Sequence, residues 1–265
     1  MALGLIFPTA GEVEVLGEPM FPGQGPRDRA LRRVGALIEE PGFWTYLSGR
    51  RNLEYFARTS GPAEDRGARL DRIDDVLHTV GLAEAGGKRV KAYSQGMRQR
   101  LGIALALLGK PSVLVLDEPT NGLDPQGMRE IRTLLRGLAD DGVTVFVSSH
   151  LLTEVEAMCD RVGVLARGRL VAEGPPSELR SSGNLLRVDV DDRPRAERVL
   201  ADVDGVELDG SGTAQLRLRL APPATAAGVN AALVAAGIAV SALVPEHESL
   251  EDVFVSLVEG EETPR

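Results

Sequence analysis

Apolar positions along this chain repeat with two periods, and the change from one to the other marks its elements. Met97, Leu101, Ala104, Leu105 and Leu108 fall at helical spacing, giving one apolar face behind Ser94 as N-cap. Gly109-Lys110-Pro111 ends that helix. Ser112 to Leu116 is then a short unbroken apolar run, which predicts a parallel strand buried on both faces. Pro125 starts a further helix, with Asp124 as its cap and Ile131, Leu134, Leu135 and Leu138 as its stripe. A second apolar strand follows at Val143–Val147.

Towards the start, Glu12–Leu16 alternates like an antiparallel strand, and Arg32–Glu39 reads as a strand that ends in acids. Phe43, Trp44 and Tyr46 gather aromatic residues in a chain that has few. Leu47-Ser48 caps a helix through Ala57, and Ala68–Val80 carries Leu70, Ile73, Val76 and Leu77 on one face, ending at Gly81. Past the second strand, Arg161–Ala166 and Gly168–Glu173 form a hairpin about Arg167-Gly168, and Gly174-Pro175-Pro176 breaks the pattern.

After Ser181-Ser182-Gly183 the order is strand (Leu185–Val190), helix (Pro194–Leu200), two strands (Val206–Leu208, Ala214–Leu220), helix (Ala224–Ala236) and strand (Ile238–Val244). Asp209-Gly210-Ser211-Gly212 supplies the turn between the middle strands. This β-α-β-β-α-β order predicts a small ferredoxin-like α+β domain. Ser249–Asp252 resembles a capping box, and Leu250, Val253, Phe254, Leu257 and Val258 share the face behind it.

Composition narrows the class. The 265 residues suit one large and one small domain, and 43% hydrophobic residues suffice for a core. A formal charge of -9 with a pI near 5.0 argues against a general nucleic-acid binder. The single cysteine, Cys159, lies within a helical pattern and reads as a small buried hydrophobe. No apolar run approaches the ~20 residues of a membrane span, and no signal peptide is visible. A cytosolic product follows, and any membrane component would be another chain.

The candidate chemistry sits where the first buried strand ends. Asp117 and Glu118 are adjacent and followed at once by Pro119. Open α/β sheets bind ligands at the carboxyl ends of their strands. Two acids there repel each other and are costly to desolvate, so either a metal ion with a phosphate behind it sits against them or the strand simply exits into solvent with two acids on its turn.

YSQGM-R-QR from Tyr93, VLVLDEPT from Val113 and NGLD from Asn121 resemble, in order and spacing, the signature, Walker B and D-loop of an ATP-binding-cassette (ABC) ATPase. Ser148-Ser149-His150 resembles its H-loop. The likeness covers nearly the whole chain and is nearest to the bacterial drug-exporter cassettes, related to daunorubicin and bacitracin export subunits. SLEDVF, near the C-terminus, resembles the ending of that branch.

The resemblance implies an α/β, P-loop NTPase-like cassette over residues 1–180, with an inserted helical subdomain at about 46–108 and an accessory domain at 181–265. It implies ATP and Mg²⁺ as cofactors. Asp117 is then expected to meet the metal through water, Glu118 to act as general base, and His150 to bond the γ-phosphate. Ser94, Gln95, Gly96 and Met97 are expected to face the γ-phosphate held by an opposite subunit. Gln95 and Met97 depart from the family's LSGGQ pattern but leave the N–H donors in place. Asp124 would contact the other subunit, and Glu39 stands where many cassettes carry the Q-loop glutamine, with Glu40 as the neighbouring choice. Implied partners are a transmembrane permease, received on the aromatic surface around Trp44, and a second cassette in a homodimer or heterodimer, with no nucleic acid. The expected place is the inner face of the cell membrane.

One departure is large. Met1–Gly11 is similar to the segment that follows the first helix of the family, and no G-x-x-x-x-G-K-[ST] loop occurs in these 265 residues. Gly87-Lys88 has Leu82 in place of the first glycine and Arg89 after the lysine, and Gly109-Lys110 is followed by Pro111. The expectation is a cassette without its Walker A region, either because the native chain starts earlier or because it is truncated. The sequence therefore supports two functions: the ATP-hydrolysing subunit of an exporter, or an incomplete cassette that lends its signature segment to an intact partner.

Overall fold

In the computed structural model of the chain, residues 3–21, 30–38, 42–60, 65–179, 185–208 and 216–246 are described. They fall into two compact units, Met1–His150 and Leu151–Arg265. Glu39 and Glu40, the 209–212 turn and the 249–258 stripe lie outside the described residues.

The first unit is built on a three-stranded parallel sheet. β3 (Val34–Leu37), β4 (Val113–Asp117) and β5 (Thr144–Ser148) lie side by side in that order. Before them, β1 (Glu14–Val15) and β2 (Glu18–Pro19) make a minimal antiparallel pair, shorter than the alternation at Glu12–Leu16 predicts. Three helices follow β3: α1 (Gly49–Ser60), α2 (Arg66–Thr79) and α3 (Gln95–Leu107). They pack on one another through residues the sequence marks as apolar, with Leu53, Ile73, Leu77 and Leu101 fully buried. The guanidinium of Arg72, buried on α2, donates to the Leu108 carbonyl at 3.0 Å and so satisfies one of the free carbonyls at the end of α3. The fourth helix, α4 (Pro125–Asp140), packs against β5 and buries Ile131, Leu135 and Leu138.

Among the described residues the sheet is buried on one face, where the apolar run predicts both. Register places Gly35, Leu114 and Val145 in one row, and Leu37, Leu116 and Val147 in a second row of the same face. Leu37, Leu114 and Leu116 are buried there. α3 runs so close beneath β3 that a Cβ on Gly35 would lie 3.0 Å from the Ala106 carbonyl carbon and collide with its oxygen. The opposite row, Ala36, Val115 and Phe146, is open: Val115 is half-buried, Ala36 is exposed and Phe146 is 64% exposed. Both rows are apolar, so strand periodicity treats them alike, but only one is covered among the described residues.

The second unit contains two small sheets. β6 (Val162–Ala166) and β7 (Arg169–Gly174) form an antiparallel hairpin whose turn puts Arg167 and Gly168 at φ +48° and +78°, a primed turn that suits the twist of paired strands. Val155 of α5 (Leu152–Met158) packs on Val162 and Val164, with Cys159 and Leu179 of α6 (Pro176–Leu179) partly buried against them. The other sheet joins β8 (Leu185–Val190), β9 (Val206–Leu208), β10 (Leu216–Leu220) and β11 (Val240–Glu246) in the order β11-β8-β10-β9, every pair antiparallel. Leu186, Val188, Leu216 and Leu218 face a core completed by Ala196 and Leu200 of α7 (Arg193–Ala201) and Val229 and Leu233 of α8 (Ala226–Ala235). Among the described residues no helix is long and apolar enough to cross a membrane.

Candidate active site

The site is made by the way β4 ends. Its apolar run holds Asp117 in register opposite Ser148 of β5, at the carboxyl edge of the parallel sheet. The next residue leaves the strand abruptly. Glu118 has φ +47°, a left-handed conformation costly for a side chain with a Cβ. Its N–H is held by the Ser148 carbonyl at 3.1 Å and the Ser148 hydroxyl at 3.2 Å. The same hydroxyl donates to Asp117 Oδ1. Turned in this way, the half-buried Glu118 carboxylate meets His150, whose Nδ1 lies 3.0 Å from both Glu118 oxygens.

Asp117, Glu118 and His150, singled out by sequence, are therefore brought together, and Ser148 joins them. Ser148 lies within the H-loop resemblance, which implies no role for it. The signal needed was the β4–β5 register, which a single sequence does not supply. Two carboxylates and a hydroxyl are hard oxygen donors. They fit Mg²⁺, which takes one or two carboxylates and fills its remaining positions with water and phosphate oxygens. Histidine with a carboxylate on one ring nitrogen is a pair able to hold or move a proton.

A second cluster gathers the other predicted residues. Ser94 caps α3 by accepting the Met97 N–H at 3.2 Å. This leaves the first turn, with Gln95 and Gly96, as a helix N-terminus that favours an anion. Gln95 Nε2 donates to the Asn121 carbonyl at 3.3 Å, tying the signature turn to the NGLD turn of the same chain. Asp124 caps α4 by accepting the Gly127 N–H at 2.7 Å, which is the structural role its position predicts.

A third feature is the aromatic surface. Trp44 stands edge-on to Tyr55, with ring centroids 4.4 Å apart, and 5.5 Å from Phe56. Tyr46 and Tyr55 are exposed. Fully buried Asn52 holds the loop: its Oδ1 accepts the Trp44 N–H, and its Nδ2 donates to the Trp44 and Ser48 carbonyls.

The described residues thus bring together a parallel sheet with adjacent acids at its carboxyl edge and a histidine beside them, and join the α3 N-terminus to the Asn121 turn. The comparisons narrow the class. The family described as ABC transporter matches residues 1–121. The bacitracin transport ATP-binding protein BcrA of Bacillus licheniformis is 38% identical over 265 residues, covering 98% of this chain and 83% of that protein. The daunorubicin resistance ATP-binding protein DrrA3 of Streptomyces coeruleorubidus is 37% identical over 259 residues, covering 96% and 80%. Among solved structures, cbiO1 from Clostridium perfringens, part of the ABC transporter complex cbiONQ, superposes with a TM-score of 0.61 at 27% identity, covering 67% of this chain and 71% of that one. The chain belongs to the ABC transporter family, among its ATP-binding proteins. The reading as an interaction protein that only lends its signature segment finds no support in these relatives.

Proposed function

We propose that this protein is the ATP-hydrolysing subunit of an exporter and drives a separate membrane permease. The observation that carries the reading is the Asp117–Ser148–Glu118–His150 cluster at the carboxyl edge of β4 and β5. When bound, Mg²⁺-ATP supplies the phosphoanhydride to be cleaved and the charge that balances the two acids. Asp117 would hold the metal, through water. Glu118 accepts a proton from the attacking water, and His150 orients the Glu118 carboxylate and reaches the γ-phosphate. Ser94, Gln95, Gly96 and Met97 offer helix N-terminal N–H groups to a nucleotide held by a second cassette, and Asp124 lies towards that subunit. Glu39, or Glu40 beside it, serves as the Q-loop ligand.

In the same reading α1, α2 and α3 form the inserted helical subdomain at about 46–108, and the Trp44–Tyr55–Phe56 surface receives the permease at the inner face of the membrane. The β11-β8-β10-β9 order with two helices on one face supports a ferredoxin-like accessory domain within 181–265. The relatives that transport bacitracin or confer daunorubicin resistance support an exporter, with the cargo chosen by the permease.

The test is Glu118→Gln in the protein purified with its membrane partner from the native host. Gln keeps size and hydrogen bonding but cannot take the proton. ATP turnover is expected to fall by about 10²–10⁴-fold while nucleotide binding persists. Turnover within a few-fold of wild type in the variant would remove Glu118 from the chemistry.

A further inference from the structure

We propose that Ser148 is a positioning residue that sets both carboxylates of the site, and through them the affinity for the divalent cation. The role given to the cation rests on the ATPase reading above; the geometry does not. Ser148 Oγ has one proton and two lone pairs. An ionised Asp117 can only accept, so the hydroxyl proton goes to Asp117 Oδ1, and a lone pair is left for the Glu118 N–H at 3.2 Å. Ser148 also gives its carbonyl to the same N–H, at 3.1 Å. A single residue thereby restrains the two acids in different ways.

For Asp117 the effect is rotational. With Oδ1 engaged by Ser148, the carboxylate plane is fixed and Oδ2 is the oxygen left for a ligand. Outer partners that orient a metal-binding carboxylate commonly change metal affinity by about 10–100-fold when removed. For Glu118 the effect is on the backbone. At φ +47° its N–H would otherwise be a donor at the end of a broken ladder, in a conformation unfavourable for a residue with a Cβ. Two acceptors on that N–H hold the turn, and the turn aims the side chain at His150 instead of along the strand. The hydroxyl is placed for this by register alone, since Ser148 faces Asp117 across the β4–β5 pair.

Ser148→Thr keeps the hydroxyl on a β-branched residue suited to a strand end. Ser148→Val has the same shape without the hydroxyl, and Ser148→Ala simply deletes it. The full chain is titrated with Mn²⁺ in the presence of ATP, and free Mn²⁺ is read by electron paramagnetic resonance. In parallel, the metal-free protein is examined by amide hydrogen exchange at Glu118. Ser148→Thr is expected to behave as wild type in both. Ser148→Val and Ser148→Ala are expected to weaken Mn²⁺ by about 10–100-fold and to speed exchange at Glu118, with Leu114 and Leu116 still protected. Equal Mn²⁺ affinity and an unchanged Glu118 amide in Val and Ala overturn the proposal. So does a Thr variant as impaired as Val, because shape and not the hydroxyl would then matter. If the wild type itself takes up no Mn²⁺ with ATP, a result that the lack of a G-x-x-x-x-G-K-[ST] loop in these 265 residues would also give, the exchange data decide whether Ser148 holds the turn, and the ATPase reading is judged by Glu118→Gln instead.

Discussion

Replacing Asn52 by leucine tests the aromatic surface at its anchor. The substitution keeps the approximate shape and removes three hydrogen bonds, of 2.9, 3.1 and 3.0 Å. Their losses are unequal. The Trp44 carbonyl still accepts the Leu47 N–H at 3.0 Å, and the Ser48 carbonyl still accepts the backbone N–H of residue 52 at 3.0 Å. Each of those two losses costs about 1 kcal/mol. The Trp44 N–H is left without its acceptor in a protein interior, which costs about 2 kcal/mol. Burying a leucine side chain in place of an amide returns on the order of 1 kcal/mol. The net loss is about 3 kcal/mol, a large share of the ~5–15 kcal/mol that holds a domain together. Trp44 is the only tryptophan in the chain, so its emission reports on this loop directly. Urea unfolding followed at Trp44 should show a lower midpoint for Asn52→Leu, and the native emission should move to the red. Asn52→Asp keeps the acceptor for Trp44 but turns a carboxylate towards two carbonyl oxygens, so at neutral pH it should be worse than leucine. A leucine variant within 1 kcal/mol of wild type, or an aspartate variant more stable than leucine, would refute the anchoring argument.

Gly35→Ala puts a methyl group into the Ala106 carbonyl and 3.1 Å from Pro111 Cγ, so α3 must move off β3; a loss of at least about 1–3 kcal/mol in urea unfolding is expected, and a neutral result would mean the helix gives way freely. Tyr93 is buried, donates to the Ala85 carbonyl at 2.8 Å, and has its phenol pushed above the ordinary value by burial. Its contribution is present below the unfolded phenol's range near pH ~10 and is lost as pH rises through the higher folded value, because the unfolded chain gives up its proton first. Tyr93→Phe should cost about 1 kcal/mol at neutral pH and flatten the alkaline loss seen in denaturation midpoints; an unchanged alkaline slope would place that loss on other groups.

The elements closest to local rules were the most legible. The caps at Ser94 and Asp124 accept the N–H three residues on, as their positions require. The Arg167-Gly168 turn and the strand and helix order of the 185–246 segment follow from turn chemistry and periodicity. Ends of strands were less legible. β1 and β2 shrink to two residues each because little of Glu12–Pro19 finds a partner. The open Ala36–Val115–Phe146 row was not legible at all: an apolar run reports that a strand can be buried twice, whereas covering it takes a second layer from elsewhere.

The candidate site shows the same gradient with sequence distance. Asp117 and Glu118 declare themselves, since adjacent acids after a buried strand are costly without a counter-charge. His150 stood out only through its place after a second strand. Ser148, a common residue among many serines, carries no local signal, yet it bonds to residues 30 and 31 positions earlier. The left-handed turn at Glu118 was equally hidden, because glutamate is a poor choice for φ +47° and no turn rule predicts it there. The two hidden facts explain each other. A strained backbone persists only when its surroundings over-determine it, and here the serine opposite supplies two of the restraints. The site is therefore specified less by the acids that announce it than by the strand pairing that brings Ser148 to face them.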